Sequence, residues 1–239
     1  MRLDKYLVDE GYFESRNRAT EAIKNGAVLV DGKKAKPSSK IDANTTVEVQ
    51  ESKFYVSRAG RKLESFLDEH PIELENKKAL DIGSSTGGFA QILLEKGVSK
   101  LDCVDVGSNQ LHISLRDKPQ LHLYEETDIR EFKPSSEYDI ITCDVSFISI
   151  LQIIDAIDTL SSKATDIIIL YKPQFEVGKD VKRDSKGVVV DIDAINKTKE
   201  RFEQKAKDLG WSLITSNKSK ITGKEGNQEY IYHFIVKNI

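Results

Sequence analysis

The chain is poor in cysteine, methionine, tryptophan and proline, and it has no long apolar run. Its 239 residues include two Cys, one Met, one Trp and five Pro. Two thiols, Cys103 and Cys143, are too few for a disulfide framework or a zinc cluster, so a reducing compartment is expected. The longest aliphatic run, Ile167-Ile168-Ile169-Leu170, falls far short of the ~20 residues that span a bilayer. The start, Met1-Arg2-Leu3-Asp4-Lys5, lacks the apolar stretch and small-residue cleavage site of a secretory signal, which leaves a soluble cytoplasmic protein as the expectation. A surplus of one charge is also missing: 36 Lys and Arg face 39 Asp and Glu, for a net charge of −3. With 38% apolar residues the chain can bury a full core, which excludes general disorder. The length accommodates one large domain, or one of about 150–200 residues beside a small module.

The charge balance hides an asymmetry. Residues 1–62 carry 13 Lys and Arg against 9 Asp and Glu, whereas the remainder carries 23 against 30. A basic head on an acidic body suits two modules with different partners, the head facing a polyanion. Chance would produce the same numbers, so charge alone does not decide.

Periodicity divides the chain in the same place. Leu3, Leu7, Val8 and Tyr12 lie at helical spacing and end at Gly11; Ser15 caps a second helix with Ala19, Ala22 and Ile23 inward, stopped at Gly26. Ala27–Val30 reads as a strand, Asp31-Gly32 as a tight hairpin turn, Lys33–Lys36 as the return, and Thr46–Val49 as another strand. This predicts a small α+β module over 1–52, a basic linker over 53–60 and a second domain over 61–239. That domain opens with a helix over 61–70. From residue 77 strands alternate with helices: strands near 78–83, 101–106, 120–124, 138–144, 166–171, 211–216 and 228–236, helices near 87–96, 109–116, 149–160 and 193–209, and a polar loop over 174–190. Such alternation predicts an α/β, Rossmann-like, mostly parallel sheet of seven strands, covered on both faces.

In the small module, Arg16, Arg18 and Lys24 on the second helix and Lys33, Lys34 and Lys36 on the hairpin line one face if the two elements pack together. With Arg2 and Lys5 ahead of them and Arg58 and Arg61 after the module, they are the candidate RNA contacts. The pattern Arg2-Leu3-Asp4, Leu7, Gly11, Ser15-Arg16, Ala19, Ile23, Gly26, Val28, Val30-Asp31-Gly32, Lys36-Pro37-Ser38 resembles the αL RNA-binding domain of a small-subunit ribosomal protein, tyrosyl-tRNA synthetases and pseudouridine synthases. That resemblance implies binding to structured RNA by shape.

The turn after the first strand of the large domain, Asp81-Ile82-Gly83-Ser84-Ser85-Thr86-Gly87-Gly88-Phe89, misses the dinucleotide spacing Gly-x-Gly-x-x-Gly. It also starts with an acid where a pyrophosphate would be repelled. A carboxylate there suits a cationic amino-acid ligand such as S-adenosylmethionine. Candidate cofactor residues are Asp81, Gly83, Ser84, Gly87, Gly88 and Phe89, then Asp105 (for ribose hydroxyls) with Val106, Asp128 and Ile129 (for adenine), and Asp144. His112, His122 and His233 lack metal-ligand spacing, so no metal is expected.

Lys62, Asp144 in Cys-Asp-Val-Ser-Phe, Lys172 in Tyr-Lys-Pro-Gln-Phe-Glu-Val-Gly and Glu229 in Gly-Asn-Gln-Glu-Tyr match in order and context the Lys-Asp-Lys-Glu tetrad of the FtsJ-like ribose 2′-O-methyltransferases. With Asp105-Val-Gly-Ser-Asn-Gln-Leu-His and Gly187-Val-Val-Val-Asp191, the whole chain resembles the TlyA family of rRNA cytidine-2′-O-methyltransferases, whose members often carry a haemolysin label. The resemblance implies a SAM-dependent rRNA 2′-O-methyltransferase, acting on a large-subunit (23S) cytidine at the subunit interface whose methylation sensitises ribosomes to capreomycin and viomycin. It implies ribosomal RNA or a ribosomal subunit as partner, no membrane and no obligate protein partner. A 2′-hydroxyl holds its proton tightly, and a desolvated lysine beside a second cation can serve as its base. That role falls to Lys172. Lys62 then orients the hydroxyl and steadies the developing oxyanion, while Asp144 and Glu229 set the two lysines. The rival readings are a membrane-active haemolysin, for which no amphipathic insertion segment is found, and a non-catalytic RNA-binding assembly factor. The cations of 174–190 (Lys179, Lys182, Arg183, Lys186) and 217–224 (Lys218, Lys220, Lys224) hold RNA or are simply solvated.

Overall fold

The computed structural model describes residues 1–13, 15–42, 44–50, 53–134 and 136–237. It forms two compact units, Met1–Phe54 and Tyr55–Ile239; the module end expected at residue 52 lies outside the described residues.

In the first unit, α1 (Leu3–Asp9) and α2 (Arg16–Lys24) pack beside a three-stranded antiparallel sheet of β1 (Val28–Val30), β2 (Lys33–Lys34) and β3 (Val47–Val49), in the order β2-β1-β3. The Ser15 hydroxyl caps α2 by accepting from Arg18 N at 3.3 Å. Asp31 and Gly32 both have positive φ, +50° and +72°, the backbone that lets a two-residue turn follow the strand twist. Leu3, Leu7, Ala19, Ala22, Ile23, Ala27, Val28 and Ile41 form the core. The first helix, expected to run to Gly11, ends at Asp9, with Gly11 at φ +77° turning the chain away, and the return strand expected over 33–36 covers only Lys33–Lys34.

The second unit carries α3 (Arg58–Glu69), β4 (Lys78–Ile82), α4 (Gly88–Glu95), β5 (Lys100–Val104), α5 (Ile113–Arg116), β6 (Leu121–Tyr124), β7 (Tyr138–Cys143), α6 (Ile154–Leu160), β8 (Ser161–Tyr171), α7 (Pro173–Glu176), α8 (Ile192–Asp208), β9 (Trp211–Lys218) and β10 (Tyr230–Val236). The seven strands run β6-β5-β4-β7-β8-β10-β9, all neighbours parallel except β10, which is antiparallel to both β8 and β9. From β4 the chain winds outward through β5 and β6, then returns to β7 on the other side. The gap above β4 and β7 is therefore the switch point, where strand-end loops part and leave room for a ligand. One apolar cluster, with Leu63, Phe66, Phe89 and Ile92, covers one set of strand side chains; the other, with Ile141, Ile154, Tyr171 and Phe202, covers the alternate set.

Several elements differ from the periodicity: the helix expected over 149–160 narrows to Ile154–Leu160 after a single 3-10 turn, and α7 opens the segment expected as a polar loop over 174–190. The helix expected from residue 61 starts at Arg58, inside the expected linker, because Ser57 enters in extended geometry and Gly60 lies so close to Gly88 that a Cβ would sit 2.9 Å from its carbonyl oxygen. The helix expected near 109–116 shrinks to one turn, with Asn109 at φ +57° upstream. Strand β8 reaches back to Ser161, its polar start held where Thr165 donates to the Tyr138 carbonyl at 2.8 Å.

Candidate active site and nucleic-acid interface

Asp81 lies near the end of the central strand β4 and is 1% exposed. Thr142 on β7 donates to its Oδ1 at 2.8 Å, and Oδ2 has no partner among the described residues. Burial lifts the carboxyl to about 7; the Thr142 hydrogen bond opposes this, and the negative charges of Asp144 and Asp105 reinforce it. A buried carboxylate oxygen without a donor, bordering a cleft, fits a cationic group such as an amino-acid ammonium. The Ser84 hydroxyl is also buried and has no partner among the described residues.

The glycines divide by purpose. At Gly83, φ is +76° and a Cβ would come within 3.0 Å of the Asp144 carbonyl oxygen, so the β4 loop crosses the tail of β7 only without a side chain. Gly87 and Gly88, expected against the cofactor, have another job. A Cβ on Gly87 would collide with Leu111 and Leu115, and one on Gly88 with Ser57 and Ala59. They make room for packing, although Gly88 still borders the cleft. Phe89 borders it too, but its ring belongs mainly to the core.

Asp105, just past β5, accepts from Ser85 N on Oδ2 and from Gly107 N on Oδ1, both at 2.7 Å. It clasps the first loop to the second, and each oxygen retains a lone pair for a hydroxyl. Asp128 has an internal partner as well. Arg130 clamps it, Nη2 at 2.5 Å from Oδ2 and Nε at 2.9 Å from Oδ1, and holds the carboxyl down to about 2. Asp128 still borders the cavity and keeps lone pairs for the adenine amino group read for it, and Ile129 forms an apolar floor. Exposed Val106 stands on the rim. Between these residues and Val145, Phe147 and Ile148 runs a cavity of about 610 Å³.

A second cleft of about 250 Å³ adjoins it, bordered by Arg58, Lys62, Asp81, Asp144, Ser146 and Lys172. Lys62, on α3, places Nζ 2.5 Å from Glu229 Oε2, and both side chains are buried. Glu229 immediately precedes β10, one position short of the strand expected to hold it. Lys172, directly after β8, places Nζ 2.6 Å from Asp144 Oδ1 and donates to Ser146 Oγ at 2.8 Å. Burial raises the Asp144 carboxyl, with Lys172 and then Lys62 pulling it back. Two lysines and a carboxylate of these pairs, Lys62, Lys172 and Asp144, border one cleft, and opposed charges gathered in a cleft mark a candidate site.

Sequence reasoning missed four residues here. Ser146 touches Lys172, and the Gln174 amide donates to Glu229 Oε1 at 3.2 Å. Glu176, whose carboxyl is raised by burial, accepts from Ser149 Oγ at 2.6 Å and Ile150 N at 2.9 Å, fastening the tail of β7 to the tail of β8. Phe147 is 91% exposed at φ +66°, its ring centroid 5.1 Å from that of Phe175. Their common signal was proximity to Asp144 or Lys172 in sequence.

In the first unit Arg2 and Arg16 both bind Asp4, Lys5 pairs with Asp9 at 2.8 Å, and Arg18 lies over the Phe54 ring at 4.0 Å. Lys24, Lys33, Lys34 and Lys36 are exposed. A Cβ on Gly26 would meet Lys34 Cε at 3.2 Å, so the hairpin does lie against the end of α2. In the second unit Arg58 is exposed and Arg61 half-buried. Arg183 staples its own loop, donating to the carbonyls of Gln174 and Gly178 at 3.1 and 3.0 Å. Among the described residues no group of His, Cys, Asp and Glu could hold a metal, and no helix is long and apolar enough to cross a membrane.

Known proteins match this arrangement along the chain. Residues 55–235 match the FtsJ-like methyltransferase family and residues 1–47 the S4 domain. A Campylobacter jejuni protein named 23S rRNA (cytidine-2′-O)-methyltransferase TlyA is 46% identical, over 98% of this chain and 99% of its own. A Brachyspira hyodysenteriae protein named Hemolysin A is 39% identical over 99% and 100%. A solved Streptococcus thermophilus structure, described as a hemolysin, superposes with a TM-score of 0.74 at 32% identity, covering all of this chain and 89% of that one. The chain belongs to the FtsJ-like methyltransferases of the TlyA type, with an S4 domain at its N-terminal end.

Proposed function

We propose that the protein methylates the ribose 2′-oxygen of a cytidine in large-subunit ribosomal RNA, with S-adenosylmethionine as the methyl donor. The observation that carries this reading is the pair of lysine–carboxylate contacts, Lys62–Glu229 and Lys172–Asp144, of which Lys62, Lys172 and Asp144 border one cleft beside the 610 Å³ cavity. Full-length similarity to a relative named for that reaction supports it.

When bound, S-adenosylmethionine supplies an electrophilic methyl group on a sulfonium. Asp81 would take its ammonium, Asp105 its ribose and Ile129 its adenine; Asp81 borders the smaller cleft and the other two the larger cavity. Lys172 takes the proton of the 2′-hydroxyl as the neutral amine, the proton it shares with Asp144 lying on the carboxyl, an arrangement that burial of Asp144 favours by raising that carboxyl. Lys62, fixed by Glu229 and through it by Gln174, donates to the oxygen as charge develops. Alignment of oxygen, methyl and sulfur supplies the rest. Phe147, exposed and held in a strained backbone at the mouth, offers a stacking face for the base of an extruded nucleotide. The lysines and arginines of the first unit dock the RNA, and ribosomal RNA as substrate sets the work in the cytoplasm.

In assays with purified large ribosomal subunits, Lys172→Ala lowers kcat by about 10²–10⁴-fold. Glu229→Gln also abolishes turnover while leaving RNA binding within about twofold. Unchanged turnover in both variants would remove the tetrad from the mechanism. The Brachyspira relative's name points instead to lysis; leakage of liposomes by detergent-free protein is the outcome that would support it.

A further inference from the structure

Arg2 is the residue before α1, Asp4 lies in its first turn, and Arg16 opens α2. The Asp4 side chain is 5% exposed, whereas those of Arg2 and Arg16 are 51% and 56% exposed. Asp4 Oδ1 accepts from Arg2 Nε at 3.0 Å, and Oδ2 accepts from both Arg2 Nη2 at 3.0 Å and Arg16 Nη2 at 2.7 Å. One oxygen thus bridges two guanidinium groups. Nη1 of both arginines has no partner among the described residues. The two cations hold the carboxyl well below the usual carboxylate range.

The backbone beneath is fixed as well. Leu3 N donates to the Ser39 carbonyl at 2.8 Å, Asp4 N to the Pro37 carbonyl at 3.1 Å, and Arg2 forms a β-bridge with Lys40. A strap bearing exposed Lys36 and Lys40 therefore crosses beside the arginine pair.

A lone acid in an RNA-docking face looks like a liability, since it should repel phosphate. Its burial changes that. The carboxylate is spent inward on two guanidinium edges, while their other edges stay in solvent. Two flexible side chains whose like charges would drive them apart are held side by side, within reach of a single phosphate group. We infer that Asp4 is a positioning residue that assembles Arg2 and Arg16 into a preformed clamp for a backbone phosphate of the RNA. This rests on the reading of the first unit as the RNA-docking part.

The inference makes a prediction opposite in sign to charge counting. Removing a negative charge should tighten RNA binding if only net charge matters. With a preformed clamp, Asp4→Asn weakens it. The experiment measures binding of the full-length protein to a fluorescently labelled transcript of large-subunit rRNA at one fixed salt concentration, with circular dichroism and thermal melting of every variant. Asp4→Asn is expected to lose at least about tenfold in affinity. Arg16→Lys keeps the charge at a half-exposed position, so its folding is not at risk; it too should lose about tenfold, because an ammonium cannot bridge Asp4 and phosphate in the same geometry. If Asp4→Asn does not fold, Arg16→Lys decides alone. Wild-type or tighter binding by either folded variant overturns the inference. Arg2→Ala and Arg16→Ala separate the two levels: if both bind like wild type, the docking reading of this face fails, and if both weaken while Asp4→Asn and Arg16→Lys do not, only the clamp fails.

Discussion

At the scale of single residues, Asp81 ties pH to the cofactor. Its carboxyl is lifted to about 7 by burial, and a protonated acid cannot pair with an ammonium. Cofactor affinity, measured by calorimetric titration, should therefore fall about tenfold from pH 8 to pH 6, and Asp81→Asn should be weak and flat across that range. A flat wild-type profile would remove Asp81 from the ammonium contact. The stability linkage has the opposite slope. A raised acid binds its proton more tightly in the folded state, so its stabilising contribution is full below the ordinary carboxylate range and is lost as pH rises through about 7. The tetrad was legible at this scale through its resemblance to the FtsJ-like motif: Asp144, Lys172 and Glu229 flank strands, whereas Lys62 lies inside α3, where no local signal marks it. Arg130's hold on Asp128 was not legible, since a cation two residues away gives no sign of where it will point.

At the scale of elements, periodicity found the alternation of strands and helices but misjudged ends where tertiary contacts override it. The start of α3 contains Gly60, a poor helix former that is kept because a side chain there would strike α4. The polar beginning of β8 has no apolar signal, and only pairing with β7 extends it. The contacts between the tails of these two strands also escaped notice. Glu176 grips Ser149 and Ile150, and Phe175 lies against Phe147, so the loop that walls the 610 Å³ cavity depends on α7. Glu176→Ala should lower kcat/KM for RNA by about 10–100-fold, through a 1 Å-scale shift of the loop. Glu176→Gln should recover most of it, because an amide can accept from Ile150 N and donate to the Ser149 hydroxyl. Steady-state kinetics of the two variants distinguishes this geometric part from the charged part of Glu229, where Gln does not rescue.

At the scale of the whole molecule, the near-neutral charge is almost balanced in the first unit, 10 Lys and Arg against 9 Asp and Glu over residues 1–54, because the excess counted to residue 62 comes from Arg58, Arg61 and Lys62 on α3. The rest is an acidic body in which Asp144 and Glu229 are committed to lysines. RNA docking through a few phosphates should make KM for RNA strongly salt-dependent, rising roughly 50-fold between about 50 and 200 mM salt for about four contacts. KM for the cofactor should change little, because its ion pair is buried. Equal salt dependence of the two constants would argue against separate docking and catalytic units. The most direct measurement is of the product itself. Large-subunit rRNA from a strain lacking the gene, incubated with the pure enzyme and S-adenosylmethionine and digested to nucleosides, should yield 2′-O-methylcytidine by mass spectrometry, from one site. No methylated nucleoside, or one methylated on the base, would contradict the account.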